Sequence, residues 1–321
     1  LFLFPSSQGK LLNATSLSDF LLLEFSDVRE LQFLHFMAFL MIYLAVVTAN
    51  LLIMFSVALD RHLHTPMYFL LMNLAMQDIG QVSVIVPKSM INSLLNIRHI
   101  SYSGCVAQVF FFFFFATSDF GLLTVMAYDR YVAICNPLHY EMVINRQACI
   151  EMIAGIWVAC FLYAGMHTCG TFATHFCSTI VNQFFCDIPQ LIKLSCFGSN
   201  IVEMSSIGIG VVIGLSCFIY ILVTYVQIFI TVLRMPSAKG RQKAFSTCIP
   251  HLIVSFTFLF SACFAYLKPA SQTPSQLDLI FGVIYSLVPP LLNPVIYSIR
   301  NKEVKKAMAK VLGFREFSTN T

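Results

Sequence analysis

Seven long stretches with almost no charged residues constrain the fold of this chain more than any other feature of its sequence. A single aspartate interrupts the second stretch at Asp78 and the third at Asp119. The stretches are 31–59, 67–87, 102–128, 152–186, 204–233, 244–267 and 279–299. About 20 residues of apolar α-helix cross the ~30 Å hydrocarbon core of a bilayer. The sequence therefore predicts seven membrane-spanning helices, the fourth of which ends near His167.

The basic residues indicate the direction in which these helices cross the membrane. Only 11% of the residues are charged, whereas a soluble domain carries about 25%. With the N-terminus outside, six of the nineteen lysines and arginines lie outside and thirteen lie inside. This asymmetry follows the positive-inside rule. The net charge of +4 therefore reflects membrane topology, and we do not expect nucleic-acid binding.

The predicted fold is a single all-α membrane protein, a seven-helix bundle with its N-terminus outside and a short amphipathic cytoplasmic helix after the seventh span. In 301–314, Val304, Ala307 and Val311 recur at helical spacing opposite a row of lysines. Such a helix lies on the anionic inner leaflet. We divide the chain into an extracellular segment 1–32, a seven-helix domain 33–300 and a cytoplasmic helix and tail 301–321.

Asn13-Ala14-Thr15 forms an N-glycosylation sequon, and the predicted topology places Asn13 on the outer side, where this modification occurs. We recognise no cleavable signal peptide, so the first span is expected to act as the targeting signal. The expected location is the plasma membrane, where lipids contact the apolar faces of the helices.

Five of the eleven cysteines fall at or near the outer face, an oxidising compartment in which disulfides persist. They are Cys105, Cys169, Cys177, Cys186 and Cys196. Because five is an odd number, one of them is expected to stay free. The sequence contains no CxxC pair, so we expect no zinc or other metal centre built from cysteines.

Four sequence blocks resemble the signature motifs of vertebrate olfactory receptors, a family of rhodopsin-like (class A) G-protein-coupled receptors. The blocks read LHTPMYF at 63–69, MAYDRYVAIC at 126–135, KAFSTC at 243–248 and PLLNPVIYSIRN at 290–301. They fall at the inner ends of spans two, three, six and seven. The resemblance implies a receptor that binds a small, largely apolar, uncharged odorant and activates a heterotrimeric G protein. That G protein would be of the stimulatory, olfactory type, which raises cyclic AMP.

Asp129-Arg130-Tyr131 ends the third span at the cytoplasmic face. The resemblance implies that Arg130 pairs with Asp129 in the inactive receptor and is released toward the G protein on activation. An arginine that extends to lipid phosphates is the structural alternative.

A proline within the seventh span, Pro294 after Asn293, removes a backbone hydrogen bond and permits a kink. In the resembled family this kink is a hinge. Tyr225 and Tyr297 lie near the inner ends of their spans, where their hydroxyls would hold Arg130 in its active position. Anchoring of the helices at the headgroups is the alternative role for these tyrosines.

Two acids buried in the membrane, Asp78 and Asp119, are costly enough there to suggest a function. By resemblance, Asp78 and Asn50 pair with Asn293. We hypothesise a site for Na⁺ or a proton that collapses on activation. A hydrogen-bonded network of two protonated acids is the alternative, and no other cofactor is expected.

The resemblance also assigns two disulfides, Cys105 to Cys186 and Cys177 to Cys196, and leaves Cys169 free. These bonds would hold the long loop between spans four and five over the mouth of the bundle as a lid.

The ligand positions that the resemblance implies lie in the outer half of the bundle. They are Phe112, Phe113, Ala116, Thr117, Ile209, Ile213, Ala262, Tyr266, Val283 and Ser286. Their side chains are aromatic and aliphatic with a few hydroxyls, which suits an uncharged apolar molecule. Phe112 stands where amine receptors of the wider class hold a carboxylate, so a charged amine is disfavoured.

The chain departs from the family pattern at four positions, Ala49, Thr224, Pro250 and Leu259. Leu259 removes a hydroxyl from the floor of the expected pocket, so ligand preference is where the resemblance is least secure.

We find no nucleophile–base pair or phosphate-binding loop that would indicate an enzyme. A transporter or channel would need polar residues through the whole membrane depth. A class A receptor for a lipid or metabolite remains the alternative within receptors.

Overall fold

The computed structural model describes residues 19–23, 28–196, 201–234, 237–267, 276–300 and 302–313. These residues form seven long helices and a shorter eighth helix. The helices are α1 Arg29–Leu59, α2 Pro66–Leu95, α3 Tyr102–Cys135, α4 Arg146–Phe172, α5 Ile201–Leu233, α6 Ala238–Leu267, α7 Gln276–Arg300 and α8 Lys302–Val311. The seven long helices correspond in order to the seven apolar stretches.

The helices are suited to a membrane by length and composition. Six of the seven long helices are both long enough and apolar enough to cross a membrane. The exception is α6, which contains the shorter apolar segment His251–Tyr266. Apolar side chains on the outward faces are exposed, as at Met41 and Leu162, which are 63% and 66% accessible. Lipid would cover these faces, since hydrocarbon is the only environment that stabilises so many exposed apolar side chains.

Helix α4 continues to Phe172, so the predicted end near His167 was wrong. The prediction treated the polar residues of the last turn as the start of a loop. In the structure, Thr168 and Thr171 are buried, and the Thr168 hydroxyl donates a hydrogen bond to the Ala164 carbonyl at 2.8 Å. The polar groups of this turn are thus satisfied within the bundle, and the helix has no reason to end there.

A small three-stranded sheet covers the outer end of the bundle. Strand β1 (Asp19–Leu22) lies between β2 (His99–Ser101) and β3 (Ile180–Val181), antiparallel to the former and parallel to the latter. The all-α expectation holds for the bundle but not for this cap. Phe20 and Leu22 of β1 are buried against Cys105 and Cys186, so the segment before α1 forms part of the lid.

Two disulfides fix the long loop above the bundle. Cys105 at the start of α3 bonds to Cys186, and Cys177 bonds to Cys196 within the loop. Cys169 is free and exposed. The loop also contains the short helix Ile188–Lys193. Both bonds have the pairing that the family resemblance implies.

Helix α8 packs its apolar face partly on the bundle. Val304 and Ala307 are buried in the same core cluster as Ile53 and Val57 of α1. Val311, one turn further on, is 37% exposed. The bundle therefore covers the first part of the stripe that the sequence assigned to the inner leaflet, and the end of the stripe remains available to lipid.

Candidate functional site

A cavity of about 340 Å³ lies in the outer half of the bundle among α3, α4, α5 and α6, with Tyr285 from α7. Seven positions implied by the family resemblance line it: Phe112, Phe113, Ala116, Thr117, Ile213, Ala262 and Tyr266. Leu259, one of the departures from the family pattern, also lines it. Its wall is almost entirely apolar, which favours an uncharged ligand.

Three positions assigned to the ligand do not line this cavity, namely Ile209, Val283 and Ser286. Ile209 is 46% exposed on α5, and the neighbouring Gly210 lines the cavity in its place. Val283 packs in the apolar cluster that contains Phe184 and Phe185. The buried Ser286 hydroxyl donates to the Gly282 carbonyl at 2.6 Å, and the cavity residue of α7 is the neighbouring Tyr285.

Two of the six consecutive phenylalanines at 110–115 reach the cavity, Phe112 and Phe113. Phe111 is 48% exposed on the outward face of α3. Six consecutive residues cover more than a full turn, so their rings must point in all directions around the helix. Most of this run is therefore packing between helices or toward lipid.

The lid packs against two residues that line the cavity. Phe185 lies against both Phe112 and Tyr285, with ring centroids 5.0 and 6.3 Å apart. Cys186 next to it is tied to α3 by the disulfide, and its backbone N–H donates to Gln108 Oε1 at 2.8 Å. The roof is thus held by a covalent bond and a buried hydrogen bond.

A buried polar group on α4 and α5 was missed by the sequence analysis. His167 Nδ1 lies 2.8 Å from Glu203 Oε1, and both side chains are 1% exposed. His167 Nε2 lies 2.8 Å from the Tyr163 hydroxyl, which donates to the Ser206 carbonyl at 3.1 Å. Both His167 and Tyr163 line the cavity. The signal available in the sequence was a histidine and a glutamate at the two ends of the long loop between spans four and five.

Gly170 makes room for this group. A Cβ atom at this position would lie 2.7 Å from Glu203 Oε2, closer than real Cβ contacts. The Glu203 carboxylate has little freedom to retreat, because its other oxygen is bonded to His167. The absence of a side chain at Gly170 thus allows α5 to place a carboxylate beside α4.

A second polar cluster joins the lid to the outer end of α7. The Tyr285 hydroxyl donates to Asp187 Oδ1, and Lys193 Nζ lies 3.0 Å from Asp278 Oδ2. Burial raises the pKa of the Asp187 carboxyl to about 7. The nearby Asp278 also raises this pKa, whereas the Tyr285 hydrogen bond and the Lys193 charge lower it.

Asp187 makes the stability of the folded protein depend on pH. The unfolded carboxyl titrates near its ordinary pKa of about 3.9, whereas the folded one titrates near 7. The folded state therefore holds an extra proton between these values, and stability falls by about 1.4 kcal/mol per pH unit as the pH rises through this window. We expect thermal unfolding of the purified protein to show this slope, and Asp187→Asn to flatten it. An equal slope in both proteins would contradict the assignment.

Deep in the membrane, Asp78 and Asn293 are joined as the resemblance implies. Asn293 Nδ2 donates to Asp78 Oδ1 at 3.0 Å. The structure does not show the predicted pairing of Asn50 with Asn293 among the residues it describes. Asn50 Nδ2 instead donates to the Val46 carbonyl of its own helix. Among the residues that the structure describes, Asp78 Oδ2 and both oxygens of Asp119 have no hydrogen-bond donor.

At the end of the bundle away from the lid, the Arg130 guanidinium donates to the Tyr225 hydroxyl at 3.3 Å. The neighbouring Asp129 accepts a 2.8 Å hydrogen bond from Tyr140, just after α3. Tyr131 packs beside the apolar cluster of α3 and α5. Helix α7 carries Pro294 within it. The Tyr297 side chain and Asn13 lie outside the described residues.

Comparison with known proteins identifies close relatives. A family model described as olfactory receptor matches residues 39–315. Human olfactory receptor 14I1 is 50% identical over 297 residues, 92% of this chain and 96% of the relative. Human olfactory receptor 14A16 is 46% identical over 301 residues, 94% and 97% of the two chains. Squid rhodopsin superposes with a TM-score of 0.71 at 16% identity, over 89% of this chain and 87% of that chain, a likeness of fold.

Proposed function

Because this chain belongs to the olfactory receptor family, we propose that it binds a small, largely apolar, uncharged odorant in the outer cavity. We further propose that it activates a stimulatory, olfactory-type G protein and so raises cyclic AMP. Family and fold make it a multi-pass plasma-membrane receptor that takes an odorant and couples to a G protein, and not an enzyme. Membership of this family supports a receptor over a transporter, and an odorant receptor over a receptor for a lipid or metabolite.

The composition of the cavity wall carries the proposal for the ligand. Its α3 side is formed by Phe112, Phe113 and Ala116, and Phe120 stacks on Phe258 with ring centroids 5.5 Å apart. An ionised ligand would lose its hydration in such a cavity without a free counter-charge. The positions carried over from the family are therefore proposed as ligand contacts where they line this cavity.

The arrangement at the cytoplasmic end supports the proposed coupling. Arg130 contacts Tyr225, the partner expected for its active position, and Asp129 is engaged by Tyr140. We propose that these residues, with Tyr131 and the Asn293-Pro294 kink, form the switch that opens the G-protein site. Tyr297 stays a member of this switch by resemblance, as Asn13 stays a glycosylation site. The N-terminus is proposed to be extracellular, because the basic residues concentrate on the opposite side.

The deep acids are proposed to form the accompanying ion or proton site. Asp78 Oδ2, Asn50 Oδ1 and the two Asp119 oxygens lack donors within the described part of the chain. Oxygen atoms are the ligands that hard cations take, and two neighbouring acids can equally share a proton. Unchanged basal and ligand-driven signalling after Asp78→Asn would contradict a switching role.

An odorant panel tests the function directly. Cells that express this receptor with an olfactory-type G protein are exposed to uncharged odorants, organic amines and organic acids of similar size, and cyclic AMP is measured. We expect a saturable rise with at least one uncharged odorant and none with the charged compounds, because the cavity offers no counter-charge. A response to the charged compounds alone, or no response to any uncharged odorant in a wide panel, would overturn the proposal.

A further inference from the structure

Helices α4 and α5 are in close contact near the lid. The Tyr163 hydroxyl of α4 donates to the Ser206 carbonyl of α5 at 3.1 Å. The same hydroxyl lies against Gly210, where a Cβ atom would collide with it. Gly210 thus allows the two helices to meet at this level, because it has no side chain to keep them apart.

The two helices are packed more loosely further from the lid. On α4 no residue of the segment 154–162 is buried, and on α5 none of the segment 207–220 is buried. The structure describes every residue of both segments. A helix that packs closely on a neighbour buries a residue at nearly every turn. Adjacent helices that both lack buried residues over several turns therefore leave space between them.

The cavity reaches the surface of the bundle in this space. Of the described residues that line the cavity, two are exposed, Ala159 on α4 and Ile213 on α5. Ile213 is 54% exposed. Ala159 lies four residues before Tyr163, and Ile213 lies three residues after Gly210, so both are about one turn further from the lid than the contact between the helices. We call this pair of residues and the space between them the α4–α5 mouth.

The mouth lies at the depth of the hydrocarbon core. Helix α4 is 27 residues long, and Ala159 is its middle residue, with thirteen residues on either side. At about 1.5 Å per residue the helix spans roughly 40 Å, so its middle falls near the centre of a hydrocarbon layer about 30 Å thick. The exposed neighbours Val158, Leu162 and Val212 are apolar. The mouth therefore opens toward acyl chains and not toward water.

The cavity is more tightly packed on the side of the lid. Phe112 and Tyr285 line it there, each is 3% exposed, and both rings pack against Phe185 of the lid. The adjacent Cys186 is bonded to α3 by a disulfide. No residue of the loop segment 173–196, all of which the structure describes, lines the cavity. A ligand that came from water on this side would have to displace packed rings beneath a cross-linked loop.

The ligands that suit the cavity are concentrated on the side of the mouth. Each methylene group that leaves water for an apolar medium contributes about 0.8 kcal/mol. An uncharged apolar molecule of several carbons therefore partitions strongly into the bilayer. Its concentration beside Ala159 and Ile213 exceeds its concentration in the water above the lid.

We propose that the cavity opens into the hydrocarbon core of the bilayer through the α4–α5 mouth, and that uncharged apolar ligands enter and leave it by this route. This inference rests on the proposed function in that it takes the cavity as the ligand site. It adds a selection step before binding, because a molecule must dissolve in the membrane before it reaches Ala159 and Ile213.

A probe tethered to a lipid tests whether the mouth is open. The full-length receptor is placed in phosphatidylcholine nanodiscs in which some lipids carry a diazirine at the end of one acyl chain. Light releases N₂, and the resulting carbene inserts into a nearby C–H bond. The headgroup stays at the interface, so this chain can reach the cavity only from the bilayer. Mass spectrometry should find adducts on Ala116 and Phe120, which are buried on α3 and line the cavity. Leu122 and Leu123 are buried on α3 away from the cavity and should carry none.

A free probe of ligand size tests whether the mouth is used. Trifluoromethyl phenyl diazirine is mixed with the same nanodiscs and illuminated after increasing delays, and adducts on Ala116 and Phe120 give its rate of entry. We expect Ala159→Trp to slow entry by about tenfold, which corresponds to about 1.4 kcal/mol added to the barrier. It should also suppress the lipid adducts. Ala154→Trp is the matched control, because Ala154 is exposed on the same helix and does not line the cavity. That variant should take up the probe at the unmodified rate.

A second pair of variants on α5 keeps the test decisive if Ala159→Trp does not fold. Ile213→Trp should slow entry as Ala159→Trp does. Ile209→Trp should not, because Ile209 is 46% exposed one turn closer to the lid and does not line the cavity. The absence of lipid adducts on α3, or equal rates of entry in the mouth variants and their controls, would overturn the inference.

Failure of this inference is distinct from failure of the proposed function. Photolabelling reports entry into the cavity, whereas cyclic AMP in cells reports signalling. Entry through the mouth without a cyclic AMP response to any odorant would refute the proposed function and leave the route intact. A cyclic AMP response by a receptor whose cavity the tethered lipid never labels would refute the route alone.

Discussion

Arg130→Ala is expected to abolish ligand-driven signalling while the receptor still reaches the cell surface. In the structure the Arg130 guanidinium extends from the end of α3 to the Tyr225 hydroxyl and so joins α3 to α5. Alanine removes the only group on that turn of α3 with five N–H donors, so neither Tyr225 nor an incoming G protein can be contacted. Cyclic AMP and surface labelling of the same cells provide the measurement.

Arg146→Ala provides the matched control for that experiment. Arg146 begins α4 on the same side of the membrane and carries the same charge. Its substitution changes the cytoplasmic charge equally but leaves the contact between Arg130 and Tyr225 in place, so signalling should persist. Signalling by Arg130→Ala at the level of this control would refute the switch role of Arg130.

His167→Ala is expected to lower the free energy of unfolding by about 1–3 kcal/mol, the cost of leaving a buried hydrogen-bonding group without its partner. The substitution removes the 2.8 Å contact between His167 and Glu203, both of which are 1% exposed. Glu203→Ala should have a similar effect, because it removes the same contact from His167. The double variant removes both groups and should lose less stability than the two single variants combined. Thermal unfolding of the purified proteins measures all three.

The pair between Lys193 and Asp278 serves as the comparison. It has a similar separation of 3.0 Å, but its side chains are 22% and 11% exposed. Solvent screens a more exposed pair, so Lys193→Ala should cost about 1 kcal/mol or less. Additive effects of His167→Ala and Glu203→Ala would show that the two side chains do not stabilise each other.

Local sequence patterns predicted the helices but not their ends or their cap. The apolar stretches were sufficient for the bundle, because length and hydropathy decide whether a helix can cross a membrane. The last turns of α4 include His167, whose partner Glu203 is distant in the sequence and contacts it only in the folded state. Strand β1 likewise depends on partners from two loops. A four-residue segment carries no pattern that reveals such pairing.

The family resemblance predicted most of the residues that line the cavity. Its errors arise from the direction in which side chains point around a helix. Successive residues on a helix are about 100° apart, so an assignment displaced by one residue points to a different neighbour. This explains why Tyr285 lines the cavity where Ser286 had been assigned. His167 was missed because its importance depends on Glu203, and each residue alone resembles an ordinary polar residue at the end of a span.

The fit of Glu203 against Gly170 has a consequence for how this sequence can diverge. A methyl group at position 170 would meet the carboxylate at 2.7 Å, so an alanine there requires the Glu203 side chain to move and disturbs its contact with His167. Loss of the glutamate removes the same contact from the buried His167. Changes at the three positions are therefore coupled. A duplicated copy of this gene that drifts toward new ligands has to vary them together or leave them fixed.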